Sequence, residues 1–179
     1  METERLFHEI DNLQTGMVHT LMELVRIPAI APENGGSGEL EKAERLAKIL
    51  LEVGFDKIER LDADDPRVPS GKRPNIIAYC KGESEAKRLW IVTHLDIVPP
   101  GEASLWATTK PYEPLLKEDR VYGRGSEDNG QPLVASVFAA KALKILGAKL
   151  KRTFGLAIVA DEEQGSIFGI QHLIVKGVF

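Results

Sequence analysis

The sequence predicts an α/β layered domain with a mixed sheet. Two observations carry this: helix-period segments open the chain, and short apolar or β-branched runs then interleave with further helix-period stretches. The order of strands within the sheet is not encoded in such a pattern. At 179 residues the chain makes one domain with enough apolar content to bury a real core.

The elements follow in order. Leu6, Ile10, Leu13, Met17, Leu21 and Leu24 recur at steps of three and four, which predicts one long amphipathic helix ending before Pro28. His8 and His19 on it read as surface or helix-flank residues. After a loop with Pro28, Pro32, Gly35 and Gly36, a second helix runs from about Glu39 to Val53, with Leu40, Ala43, Leu46, Ala47 and Leu50 inward and Gly54 placed to end it. Lys57 to Leu61 alternates as a strand does, and the Asp- and Pro-rich stretch from Asp62 to Pro74 reads as a loop. Asn75 to Cys80 and Leu89 to Thr93 read as two strands joined by the charged turn Lys81 to Lys87. The second of these, five apolar or β-branched residues too few for a helix, is expected to be buried on both faces. Pro99 to Pro111 is irregular and holds Trp106, expected as a loop anchor. Leu115 to Lys117 and Arg120 to Tyr122 form a short hairpin around Glu118 and Asp119. Pro132 to Leu146 is the third helix, with proline in its first turn and Gly147 after its end. Arg152 to Ala160 is a buried strand, and Ile167 to Val175 starts a fourth helix.

Three stretches carry chemistry. His94 and Asp96 end the strand that starts at Leu89; two residues apart in extended chain, they share a face. This suits a metal ligand backed by a carboxylate that accepts the imidazole N–H left free by the metal. The glycine-rich loop Tyr122 to Gln131 places Asp128 just before a helix, where the helix dipole favours the ionised form. The run Phe154 to Ala160 breaks into Asp161, Glu162 and Glu163. Open α/β sheets gather their sites at the carboxyl ends of strands, so the three clusters are expected to meet.

Composition narrows the class. A formal charge of −4 and a pI near 5.6 argue against a nucleic-acid partner. No stretch is long enough to span a membrane and no signal peptide is recognised, so a cytoplasmic location is expected. The single cysteine, Cys80, reads as a small buried hydrophobe of a cytosolic protein. Few Asn and Gln beside many Glu and Lys lean towards a heat-adapted source.

The run His94 to Pro99, the Gly123, Arg124, Gly125 loop leading to Asp128, and the cluster Asp161, Glu162, Glu163 together resemble the dinuclear zinc peptidase and deacylase family. That family includes glutamate carboxypeptidase, succinyl-diaminopimelate desuccinylase, acetylornithine deacetylase, aminoacylase and several dipeptidases. The likeness covers nearly the whole chain, with Trp106 and Pro111 to Pro114 also in matching positions. It implies a zinc-peptidase-like α/β/α catalytic domain that hydrolyses amide bonds of N-acyl amino acids or short peptides. It also implies two Zn2+ ions, with Co2+ or Mn2+ as alternatives. By the same resemblance His94 binds one ion, Glu163 the other, and Asp128 bridges them. Asp96 orients His94, and Glu162 is the general base. Neighbouring residues in extended chain point to opposite sides, which would let Glu163 hold metal while Glu162 faces the water. A cis peptide is implied between Asp128 and Asn129.

Two departures stand out. Many members carry Lys and Gly after the bridging Asp, where this chain has Asn129, Gly130 and Gln131. Members are also much longer, with a lid domain, a returning segment and two further ligands that have no counterpart here. Each zinc then keeps two ligands of the usual three. His172 reads most simply as a helix flank rather than a replacement ligand. The apolar end Gly177, Val178, Phe179 is unlike a polar, frayed tail, so residues 1–179 are expected to be the amino-terminal portion of a single catalytic domain. The alternatives are a non-catalytic unit that binds metal weakly, or one half of a split enzyme. An uncovered sheet edge would favour self-association or a complementary chain.

Overall fold

A computed structural model describes residues 3–179. In chain order its helices are α1 (Thr3–Asn12), α2 (Gln14–Val25) and α3 (Leu40–Val53). Strands β1 (Lys57–Arg60), β2 (Ala63–Asp64), β3 (Lys72–Arg73), β4 (Ile76–Cys80), β5 (Ser84–His94), β6 (Leu115–Lys117) and β7 (Arg120–Tyr122) come next. The chain then forms α4 (Gln131–Ile145), β8 (Arg152–Val159) and α5 (Ile170–Val175).

The main sheet has the order β1-β4-β8-β5. β1 and β4, and β4 and β8, are antiparallel, whereas β5 and β8 run parallel, so the sheet is mixed as expected. A parallel pair needs a crossover, and α4 lies in the one between β5 and β8. One face of the sheet packs Ile76, Ala78, Phe154, Leu156 and Ile158 against Leu46 and Leu50 of α3 and Leu133 and Val137 of α4. The other face sets Ile77, Ala157 and Val159 against Leu173 of α5. Helices therefore cover both faces.

Several expectations need correction. The opening helix is two helices that meet at Leu13, whose N–H is shared between the carbonyls of Glu9 and Ile10. Asn12, Thr15 and Gly16, all weak helix formers, surround the joint. The loop between Asp62 and Pro74 contains the two-residue ladder β2·β3, pairing Ala63 with Arg73. β4 and β5 are not neighbours, because β8 inserts between them, and β5 starts at Ser84, within the supposed turn. Nor is β5 buried on both faces. It is the edge strand, and Leu89 and Val92 remain 62% and 47% exposed. The fourth helix begins only at Ile170, after a turn in which Ser166 has φ 64°.

Other readings are matched. The β6·β7 hairpin turns through Glu118 and Asp119, with φ of 52° and 58°, the positive pair of a type I′ turn. Cys80 is buried, and burial pushes its thiol up to about 11. Trp106 donates from Nε1 to the Pro100 carbonyl at 2.9 Å, anchoring its loop. Gly54 ends α3 with φ 81°, and its N–H bonds back to Leu50 and Leu51. A Cβ there would meet open space, so only the left-handed backbone resists a side chain. Gly54→Ala is therefore expected to cost about 1 kcal/mol in urea denaturation.

Candidate metal centre

Parallel pairing puts the carboxyl ends of β5 and β8 side by side, with His94 opposite Val159. The Leu95 N–H donates to the Val159 carbonyl at 2.8 Å and locks that register. The segment that leaves β5 through Asp96 thus lies against the turn from Asp161 to Glu163 that leaves β8.

His94 is buried, and both ring nitrogens are engaged. Nδ1 lies 3.0 Å from the main-chain oxygen of Asp96 and 3.5 Å from its carboxylate. A carbonyl oxygen only accepts, so Nδ1 carries a proton. Nε2 lies 3.0 Å from Oδ1 of Asp128 and 3.8 Å from Oε2 of Glu162. Burial acts to lower the imidazole pKa, but the hydrogen bonding and charge of Asp96, followed by Glu162 and Asp128, outweigh it and raise it to about 9. Without a metal, both nitrogens donate.

The Asp96 carboxylate, 3.5 Å from the ring, also caps the neighbouring turn. Its two oxygens accept the Glu162 N–H at 3.1 Å and the Glu163 N–H at 2.9 Å. Burial works to raise the Asp96 pKa, yet His94 and these two backbone donors hold it below the usual carboxylate value. Lys42, itself buried, donates to the Leu95 carbonyl at 3.1 Å and supplies positive charge behind the site.

Asp128 reaches the site from the glycine loop, and the Asp128–Asn129 peptide is cis, as the resemblance implies. Gly125 has φ 77°, and a Cβ on it would lie 2.5 Å from Ile97 Cγ2, so the loop closes only with glycine. Asn129 Oδ1 accepts the His94 N–H at 3.3 Å, tying this loop to the end of β5. Glu162 and Glu163 do not lie in extended chain. They occupy one turn of 3-10 helix just after Asp161 at φ 65°, so their separation comes from a helical turn rather than from strand alternation. Glu163 is half-buried, and burial, then the charge of Asp128, raises its pKa.

Donor atoms of His94, Asp128 and Glu163 all lie within 4.8 Å of one another. Donors on one tetrahedral zinc ion, with bonds of about 2.0–2.2 Å, lie roughly 3.3–3.6 Å apart, so Asp128 is near enough to both His94 and Glu163 to share an ion with either after small side-chain movements. Neighbouring carboxylates raise the His94 pKa and, after burial, add to the rise at Glu163, a local excess of negative charge that a divalent cation would relieve. The donor set therefore fits a metal. His172 lies on α5, outside this group, and His8 and His19 are exposed.

Sequence reasoning missed the charged residues behind the site. Glu39, Lys42 and Arg73 are buried, as is Asn75, which donates to the Leu61 and Phe168 carbonyls and accepts the Ala160 N–H. The available signal was the presence of Glu39 and Lys42 beside the inward stripe of α3.

The mixed α/β sheet thus gathers an imidazole and carboxylates that could hold a metal ion at the carboxyl ends of two paired strands. The chain belongs to peptidase family M20/M25/M40, whose model matches residues 90–179, the span that holds all five candidate residues. An uncharacterised metallohydrolase of Methanocaldococcus jannaschii is 39% identical over 156 residues, covering 85% of this chain and 38% of that protein. A succinyl-diaminopimelate desuccinylase of Pelagibacter ubique is 30% identical over 152 residues, covering 85% of this chain and 37% of its own. Human carnosine dipeptidase 1 superposes with a TM-score of 0.81 at 26% identity, over 97% of this chain and 37% of its own. The chain thus spans little more than a third of the length of these relatives. Among the described residues no helix is long and apolar enough to cross a membrane.

Proposed function

We propose that this chain is the amino-terminal portion of the catalytic domain of a cytoplasmic zinc-dependent hydrolase that cleaves the amide bond of N-acyl amino acids or short peptides. The observation that carries the reading is the convergence of His94, Asp128 and Glu163 donor atoms within 4.8 Å at the ends of two paired strands. The desuccinylase and the dipeptidase among the relatives support the substrate class.

His94 would hold one ion through Nε2, Glu163 the other, and Asp128 would bridge the two. Zinc, when bound, supplies a Lewis acid that polarises the scissile carbonyl and lowers the pKa of water; Co2+ or Mn2+ would serve similarly. The chain's own residues do the rest. Asp96 fixes the ring of His94 through its main-chain oxygen and steadies the Glu162–Glu163 backbone through its carboxylate. Asp96 holds the backbone N–H of Glu162, and the exposed Glu162 carboxylate, 3.8 Å from Nε2 of His94, would take a proton from water and pass it to the leaving amine. With Asp128 shared, each ion would have two protein ligands from this chain, one fewer than catalytic zinc commonly has. A further ligand would come from the rest of a longer protein, a complementary chain or a second copy. The exposed edge of β5 is where such a partner strand would pair.

The test is a zinc titration of the purified chain by calorimetry, beside His94→Ala. An amidase assay on N-succinyl and N-acetyl amino acids and dipeptides, and light scattering, use the same sample. The expected result is zinc binding that His94→Ala abolishes, with little turnover by the short chain. Zinc binding equal in the two proteins would sink the assignment. Two tightly bound ions with turnover in an oligomer would mean that copies complete one another's sites.

A further inference from the structure

Glu162 and Glu163 sit on a turn that is held from behind by charge. Asp161 opens it in the left-handed region at φ 65°, and Ser166 occupies the same region at φ 64°. Residues with a Cβ adopt this conformation only at some cost, so neighbouring contacts must hold it. Oδ2 of Asp161 accepts the Phe168 N–H at 3.1 Å. Oδ1 makes no hydrogen bond and faces Nη2 of Arg73 at 3.3 Å.

Arg73 is the hub of these contacts. Its side chain is fully buried, and Nε donates to Glu39 Oε2 at 2.8 Å while Nη2 donates to the second oxygen of the same carboxylate. Nη1 reaches Asp65 Oδ2 at 3.3 Å, and the guanidinium lies 5.5 Å from the Phe168 ring. One guanidinium therefore joins the residue preceding α3, the loop after β2 and both ends of the turn from Asp161 to Phe168. Apolar side chains of similar volume often fill such a space without loss of stability, because buried charges must first be stripped of water. Stability alone is thus a weak reason for a wholly buried cation among three carboxylates. The planar fork, whose donors point in fixed directions, instead sets where each carboxylate lies.

We propose that Arg73 is a positioning residue for the candidate catalytic carboxylates, holding the Asp161–Phe168 turn so that Glu162 and Glu163 face His94 and Asp128. Arg73 acts through the Asp161 carboxylate and the Phe168 ring, and Asp96 through the Glu162 and Glu163 N–H groups. The inference rests on the proposed roles of Glu162 and Glu163 only where metal is concerned.

The experiment compares Arg73→Met and Asp161→Asn with wild type and with Leu50→Ala, which loosens the core of α3 far from the turn. The first measurement is amide hydrogen exchange by NMR on the metal-free chain. Exchange at Glu162, Glu163 and Phe168 is expected to be at least tenfold faster in Arg73→Met and Asp161→Asn than in Leu50→Ala. The second is a Co2+ titration followed by visible absorption, with affinity expected to fall at least tenfold in the same two variants and to hold in Leu50→Ala. Should Arg73→Met fail to fold, the nearly isosteric Asp161→Asn decides. Exchange at the three amides within twofold of Leu50→Ala would overturn the proposal. Wild type that binds no Co2+ would count against the functional reading, while the exchange measurement still decides the role of Arg73.

Discussion

Raising the pH of the metal-free chain from 6.5 to 8 is expected to lower its stability by about 2 kcal/mol, at 1.36 kcal/mol per unit of pKa difference. The sign is set by His94. Its folded-state pKa is raised from 6.5 to about 9, so above 6.5 the folded chain keeps a proton that the unfolded chain has lost. The stabilisation is complete below 6.5 and disappears as pH rises through 9. Lys42 acts oppositely and later: burial lowers its pKa to about 8, so from there upward the unfolded chain holds the extra proton. The two slopes cancel between 8 and 9, which confines the fall to the lower window. Urea denaturation across this range is the measurement, and His94→Gln is expected to flatten the curve. An unchanged slope in that variant would show that another group titrates. A metal accepts only the neutral imidazole, so ion binding near neutral pH should release the same proton, readable by calorimetry in buffers of different ionisation enthalpy.

The sequence shows the chemistry more readily than the scaffold that aims it. His94, Asp128 and Glu163 stand where apolar runs or glycine loops end, and in α/β folds such ends meet, so their convergence was legible from local pattern. The strand order was not. Insertion of β8 between β4 and β5 depends on pairing across more than 60 residues, which no local periodicity records. The apolar run of β5 would look the same in a central strand as in the edge strand it is. The buried charges were hidden for a different reason: charged residues are seldom fully buried unless paired, and pairing is a tertiary property, so no local pattern shows that Glu39, Lys42 and Arg73 are buried. The geometry of the Glu162–Glu163 turn was likewise out of reach, since aspartate adopts a left-handed start only occasionally and the contacts that hold Asp161 there, with Arg73 and the Phe168 N–H, depend on the fold.

Asp96→Ala is expected to destabilise the chain by about 3–5 kcal/mol, the range for removing one partner from a buried charge group. The carboxylate is completely buried and accepts two backbone N–H groups, those of Glu162 and Glu163. Alanine would orphan both donors at once, and unsatisfied buried donors are costly whatever the reach of the new side chain. It would also leave Lys42, which burial already disfavours in its charged form, without a main counter-charge. Asp96→Asn should lose less, about 2 kcal/mol, because its one oxygen can still accept one N–H while the amide nitrogen faces the other donor. A readout beyond stability separates this from a general packing defect. After burial, Asp96 is the largest influence on His94 and acts to raise its pKa, so an NMR titration of the ring should move down in both variants. A His94 titration unchanged in Asp96→Asn would mean that the carboxylate serves the turn alone. A midpoint in urea unchanged in Asp96→Ala would mean that the turn and the end of β5 are held apart from it.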